Sequence, residues 1–427
     1  MSSDFSFARS RRFAPLFGTQ FLGAFNDNFF KTTVFVLITY HGLSGQSSLP
    51  PAQWLNFGML LFILPYFLFS AFSGEISTRF DKALIARAVK VIEVAIMLLA
   101  VVGFVRNSVW LLMLCLFLMG THSTLFGPLK YAILPDYLQR DELILGNGLI
   151  ESGTFIAILL GQFTGSALAG INPWVISIAL LIVAGSGLVS SWFMPRVGAK
   201  NPHAPIHANI VKSSKNLLRE TFKHVELATA IIGISWFWFL GAVYTTQLPT
   251  FTEIHLGGNQ NVFNLMLTLF SVGIGAGSVW CAKLCHGHLN LRLVLFGAAG
   301  MAIFGTVLAF ATFGRHQGEL VGLGQFLQQP RAYTVIVCIA ALGLCGGFFS
   351  VPLYTWLQTA SSETFRAHAI AANNIVNGVF MVAAALISAI LMWLAHNVSL
   401  LYLLTALGNL AAIFILVKLS PKMWESR

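Results

Sequence analysis

Twelve stretches of this chain are predominantly apolar for twenty residues or more, and between them they take up most of its length. About 20 apolar residues cover the hydrocarbon of a bilayer. A backbone in lipid must satisfy its own hydrogen bonds, so each stretch reads as a helix rather than an open strand. The expected spans are 13–40, 52–73, 83–105, 110–134, 143–169 and 174–194, then 227–251, 262–284, 291–313, 333–359, 367–395 and 399–419. Composition agrees: 9% of the 427 residues are charged, against about 25% in a soluble domain. The net charge of +10 sits in short loops between apolar runs, which is a topological pattern and not a nucleic-acid surface.

The first span is the least apolar at its centre. Its core, QFLGAFNDNFFK at 20–31, carries Asn26, Asp27, Asn28 and Lys31. An ionisable group at that depth costs about 2.5–3.5 kcal/mol on insertion scales. Asp27 and Lys31 are four residues apart on one helical face, which Gln20, Gly23 and Ala24 continue. That face either lines a polar cavity or holds an ion pair that neutralises itself. Arg9, Arg11 and Arg12 precede the span as in a signal peptide, but its length and Asp27 make it a retained first helix.

The spans fall into six, a basic segment, and six more. This predicts an all-α integral membrane protein with twelve transmembrane helices in two parallel six-helix repeats: an N-terminal bundle at 1–195, a basic linker at 196–226 and a C-terminal bundle at 227–427. GPLKYAIL, ending the fourth span, matches VPLYTWLQ, ending the tenth. Each precedes a helix with a polar pair four residues apart, Asn147 with Glu151 and Asn373 with Asn377. Lys and Arg concentrate at both termini, in the linker and in loops such as 74–90, 130–140 and 283–292, leaving Arg106, Arg315 and Arg331 on the other side. Both termini and the linker are therefore expected in the cytoplasm.

The other ionisable residues expected inside are Glu93, with Lys90 one turn before it, His122, Lys130 and Glu151. Lys90 and Glu93 read either as a packing pair at the lipid-facing edge or as part of a polar interior. His122, flanked by Thr121, Ser123 and Thr124, reads as a satisfied structural histidine. Glu151 is expected to pair with Lys130. The five cysteines lie in or beside apolar runs as small hydrophobes, and although Cys281 and Cys285 are one turn apart, no further metal ligands accompany them. Gly273, Gly275 and Gly277 indicate close helix packing, not a nucleotide loop. No phosphate-binding loop, zinc-protease motif or nucleophile elbow is present, so neither an enzyme nor a cofactor is expected.

The loop GEISTRFDK at 74–82 resembles the conserved loop between the second and third helices of the major facilitator superfamily. Gly74, Arg79 and Lys82 match; Thr78 replaces the motif's aspartate and Asp81 a glycine, leaving Asp81 to substitute at the helix end that gates these carriers. QFLGAFNDNFFK, GPLKYAILPDYL, NGLIESGTFIAILLG and GGFFSVPLYTWLQ are similar to the lysophospholipid transporter (LplT-like) branch, also found fused to acyltransferases. The resemblance implies inward flipping of lysophospholipids, chiefly lysophosphatidylethanolamine, across the bacterial inner membrane for reacylation by a cytoplasmic-side acyltransferase. It implies Asp27, Lys130, Asn147 and Glu151 as headgroup residues, joined on physical grounds by Asn28, Lys31, Asn373 and Asn377. A basic residue expected in the seventh helix is missing from 231–250, and Lys31 is its candidate replacement. Phe29, Phe30, Trp236, Phe237, Trp238 and Phe239 either hold the acyl chain or face lipid. The competing readings are a proton-coupled carrier of a small polar solute, working through Asp27 or Glu151, and a membrane subunit that recruits an acyltransferase.

Overall fold

The computed structural model describes residues 5–43, 51–207, 209–314, 316 and 318–421. Its helices are α1 (Ala14–Tyr40), α2 (Pro51–Arg79), α3 (Lys82–Val105), α4 (Val109–Tyr137), α5 (Leu143–Leu168), α6 (Pro173–Trp192), α7 (Ile210–Thr221), α8 (Val225–Phe251), α9 (Gln260–Leu284), α10 (Arg292–Ala311), α11 (Leu323–Leu327), α12 (Ala332–Ala360), α13 (Arg366–Ala395) and α14 (Val398–Leu419). Among the described residues there is no strand, only an isolated bridge between Gly258 and Val321. Among the described residues, eleven helices are long and apolar enough to cross a bilayer. The remaining long helix is α1, whose hydropathy is lowered by the polar cluster and which packs against α5 and α6 inside the bundle.

Local chemistry sets the helix ends. Asp81 accepts the amides of Ala83 and Leu84 at the start of α3, Ser108 that of Leu111 in α4, and Asn172 that of Trp174 in α6 ahead of Pro173. Helices α2 and α4 run past their apolar stretches to Arg79 and Tyr137, because a helix can continue beyond the hydrocarbon where its orphan groups meet water or caps. Between α6 and α8 the basic segment contains a helix that apolar length does not reveal. In α7, Leu217 and Thr221 are buried one turn apart while Lys212, Lys215 and Arg219 face outward. It packs on α2 and α13, where Glu75 of α2 accepts from Ser213 Oγ at 2.7 Å and from the His207 amide at 2.9 Å.

The glycine pattern acts as packing. A side chain at Gly273 or Gly277 would meet the carbonyl oxygen of Ala340 or Leu344, at 2.6 and 2.1 Å, so α9 and α12 touch backbone to backbone. The five cysteines are free and buried. The aromatic residues depart from expectation. Phe29 and Phe30 are buried in a core cluster, Phe30 edge-on to Phe104, and Phe237 and Phe239 are buried as well. Trp236 stacks on Phe239 and donates to Asn409 at 3.0 Å, so most of this set forms helix-packing core rather than a lipid face. Replacing Gly277 with Leu should force α9 from α12 at a cost of about 1–3 kcal/mol. Thermal unfolding in detergent should show a lowered midpoint for G277L and none for G185A, because nothing lies within 4 Å of a side chain at Gly185.

Candidate functional site

A cavity of about 240 Å³ lies at mid-depth, walled by α1, α2, α4 and α5 on one side and by α8, α12 and α13 on the other. Helical spacing accounts for the α1 wall: Gln20, Gly23, Ala24, Asp27, Asn28 and Lys31 form one face, as the sequence predicts. From α4 come His122, Ser123 and Lys130, and from α5 Thr154. The opposite wall is uncharged, with Trp238, Tyr354, Asn374 and Asn377.

Asp27 and Lys31 form no ion pair. Lys31 Nζ instead lies over the Phe62 ring, 4.9 Å from its centre. Asp27 accepts a hydrogen bond from Ser123 Oγ, and its other oxygen is 3.9 Å from His122 Nδ1. On the far side of His122, Nε2 is 3.2 Å from Glu93, which also receives Lys90 Nζ at 2.6 Å and Asn26 Nδ2 at 2.8 Å. Lys90 and Glu93 are both fully buried, which overturns the lipid-facing alternative: a charged pair is held here by α1, α3 and α4. Gly23 makes room for it, since a side chain there would stand 2.6 Å from Lys90 Nζ. His122 is thus the bridge of a charged cluster and not a histidine satisfied by neighbouring hydroxyls.

Lys130 lies above the Tyr131 ring at 5.0 Å and 3.5 Å from Thr154 Oγ1. Among the described residues it makes no ion pair with Glu151, which accepts from Tyr131 Oη at 3.0 Å instead. Asn147 lies below the cavity. It donates to Gln358 at 2.6 Å and to Thr355 at 3.1 Å, and Gln358 donates in return to Asn147 and to the Tyr131 carbonyl. Beside this lock, Tyr131 and Tyr354 stack with ring centres 4.3 Å apart and planes 8° apart, closing the cavity toward the linker. Asp27, Asn28, Lys31, Lys130 and Asn377 therefore share the cavity, whereas Asn147, Glu151 and Asn373 do not line it. Asn374 takes the place expected of Asn373, one residue being enough to turn a helical side chain by about 100°. His122, Tyr66 and Thr154 complete the wall; the first was legible as buried polarity, the others only through packing.

The loop at 74–82 divides its work. Gly74 lets α13 approach, a side chain there standing 2.9 Å from Ala371, and Thr78 Oγ1 meets His368 Nδ1 of α13 at 3.1 Å. Asp81 does not take over that contact with α13. It caps α3 and accepts the amides of Val197 and Gly198 at 3.1 and 2.8 Å, with Arg196 nearby, because it sits at the first turn of its own helix. Arg79 lies over Phe80, and Lys82 pairs with Asp136 at 2.9 Å, which Lys200 reaches from the linker at 2.8 Å. Arg315, expected on the opposite side, lies outside the described residues.

A helical membrane bundle closed at one end around a charged central cavity defines a carrier of the alternating-access class. The sequence model of the Major Facilitator Superfamily matches residues 16–324, and the chain belongs to that superfamily, one of transporters rather than enzymes. Two relatives are the lysophospholipid transporter LplT of Klebsiella pneumoniae subsp. pneumoniae, 29% identical over 85% of this chain and 84% of its own, and LplT of Shigella sonnei, 27% identical over 83% and 82%. Among solved structures, the fold is shared with the human organic anion transporter MFSD10 (TM-score 0.76, 14% identity, 94% of this chain and 99% of that one). It is also shared with the E. coli fucose:proton symporter FucP (TM-score 0.69, 14% identity, 98% and 99%).

Burial works against ionisation of Asp81, but the amides of Gly198, Leu84 and Ala83 and the charge of Arg196 prevail and hold its carboxyl below the ordinary range. A depressed value means that its contribution is full above the unfolded-state pKa and is withdrawn as pH falls through the folded-state value. D81N keeps an oxygen for the α3 cap but replaces the acceptor of the Val197 and Gly198 amides with an NH2 group, and should loosen the segment after α6 at neutral pH at a cost of about 1–3 kcal/mol. Limited proteolysis at the linker should then quicken in D81N at pH 7, and in the parent protein only on acidification.

Proposed function

We propose that this carrier moves lysophospholipids, with lysophosphatidylethanolamine as the preferred kind, between the leaflets of the bacterial inner membrane. The observation that carries the reading is the charge layout of one cavity: a carboxylate, Asp27, with two lysines, Lys31 and Lys130, that have no carboxylate partner among the described residues. A zwitterionic headgroup supplies the complement, its phosphate to a lysine and its ammonium to Asp27. The resemblance to LplT proteins supports the same substrate class. Asn28, Asn374 and Asn377 offer uncharged hydrogen bonds to glycerol and phosphate oxygens. Asn147 and Glu151 act behind the cavity by holding its floor.

The acyl chain has a place to go. Met59 of α2 lines the cavity and is 37% exposed, and Met381 of α13 lies opposite. A single chain can leave between these helices into lipid while the headgroup stays inside. The 1–195 bundle rocks against the 227–427 bundle, and the Tyr131–Tyr354 stack and the Asn147–Gln358 bonds open in the alternate state. The distribution of Lys and Arg supports a cytoplasmic position for both termini and the linker. There an acyltransferase would consume the product, and α7 with its outward lysines is exposed to such a partner.

Purified protein in proteoliposomes tests this directly. Inward flipping of labelled lysophosphatidylethanolamine is expected, reduced about tenfold or more in D27N. K31Q and K130Q should slow every phosphate-bearing lysolipid, while D27N should spare lysophosphatidylglycerol, which has no ammonium. A protein that moves no lysolipid but accumulates a soluble sugar or drug under a pH gradient would instead be the small-solute carrier. Unchanged flux in folded D27N would assign the buried charge to packing alone.

A further inference from the structure

We propose that His122 is a proton-binding site, and that this carrier releases its proton in exchange for the ammonium of the substrate. The inference rests on reading the cavity as a headgroup site. His122 is buried on the cavity wall, and among the described residues neither ring nitrogen makes a well-aligned hydrogen bond. Each nitrogen faces a carboxylate, Nδ1 toward Asp27 at 3.9 Å and Nε2 toward Glu93 at 3.2 Å. A neutral imidazole has one N–H and can meet one of these acceptors, whereas the imidazolium has two and meets both.

The charge count identifies which state belongs to which step. From α3, Lys90 and Glu93 face the histidine and cancel, at 2.6 Å. From α1 comes Asp27, whose only hydrogen bond among the described residues is from the uncharged Ser123 hydroxyl, with Lys31 one turn further along and over Phe62. Tyr66 of α2 lines the same cavity, Lys130 lies two turns along α4, and Glu151 of α5 is held by Tyr131. Asn374 and Asn377 of α13 are uncharged. In the empty cavity, His122 Nδ1 is the one cationic position within 4 Å of Asp27 among the described residues, so a proton there meets the carboxylate that Lys31 and Lys130 do not reach. When a headgroup ammonium reaches Asp27, it supplies that balance and the proton becomes surplus. One positive charge enters, and one proton leaves the imidazole for solvent.

The two ligands of Asp27 must then weaken each other equally, since linkage is reciprocal. Protein in detergent with weak buffer and a pH-indicator dye should release about one proton for each lysophosphatidylethanolamine bound. Its affinity should fall roughly a hundredfold from about pH 8 to about pH 5.5, as release of nearly one proton requires, a coupling within the ordinary range between sites. Lysophosphatidylglycerol should show neither effect. H122Q should lose proton release and the pH dependence, whatever affinity it retains. Lysophosphatidylethanolamine binding with no proton release and a flat pH profile in the parent protein would overturn the proposal and leave the transport reading standing. Failure of every lysolipid to bind would sink the transport reading; the proton site is then judged without ligand. Infrared titration should show one histidine protonation step in the parent protein that H122Q lacks, and identical titrations would overturn it.

Discussion

A charge removed from water into the middle of a helical bundle must be met by another, and that demand sets how α1, α3 and α4 are arranged. Lys90, Glu93 and His122 are buried together, and Asp27 touches them from the cavity side. Removing one member would leave the others uncompensated where desolvation is most costly. Adjacent residues of α1 divide the work. Asn26 turns into the bundle to donate to Glu93, while Asp27, about 100° further round, faces the cavity. Gly23 supplies the space for Lys90 Nζ, so one helical turn carries both the packing and the site. The polar stretch that makes α1 the least apolar long helix is therefore what holds it in place.

The closed end follows a different rule. Asn147, Thr355 and Gln358 satisfy one another, and the Gln358 amide also reaches the Tyr131 carbonyl. Such bonds contribute only about 1 kcal/mol net each, because water can replace them once the seam opens. Closure by neutral hydrogen bonds and a stacked tyrosine pair can therefore be reversed without stranding a buried charge. Lys82 and Asp136 form a buried pair between α3 and α4, within one half, and Lys200 joins it from the linker; the pair that reaches the other half, Lys200 with Glu363, has an exposed carboxylate and is worth little.

The fold was legible because lipid imposes length and apolarity on every span, and the expected spans coincide with helices to within a few residues. The α1 face was legible for the same reason that any helix face is: residues three and four apart share it. Legibility failed where it depended on rotation by a single residue or on a partner in another helix. Asn373 and Asn374 have identical composition signals, and only packing decides which one looks inward. Asn147 looked like a ligand residue because its partners, Thr355 and Gln358, lie more than two hundred positions away. Lys130 and Glu151 were paired on charge alone, but Tyr131 stands between those roles. His122 was judged by its neighbours in sequence, whereas its neighbours in space are carboxylates on α1 and α3. Helix α7 escaped notice because it lies outside the apolar runs.

The distribution of charge across the cavity bears on how such a carrier could move. Asp27, Lys31, His122 and Lys130 all belong to α1 and α4, whereas α8, α12 and α13 offer Trp238, Tyr354, Asn374 and Asn377. The cavity's cationic side chains thus stand on α1 and α4, and α8 contributes Trp238. A headgroup held by its charges would stay with the α1–α4 wall while the opposite wall slides past it. Only neutral hydrogen bonds and aromatic contacts would then be exchanged between states. Separating a phosphate from a buried lysine in low dielectric costs several times more than exchanging a neutral hydrogen bond. Keeping both charges on one wall takes that cost out of the conformational step and leaves it to binding and release, where water is at hand to replace the protein.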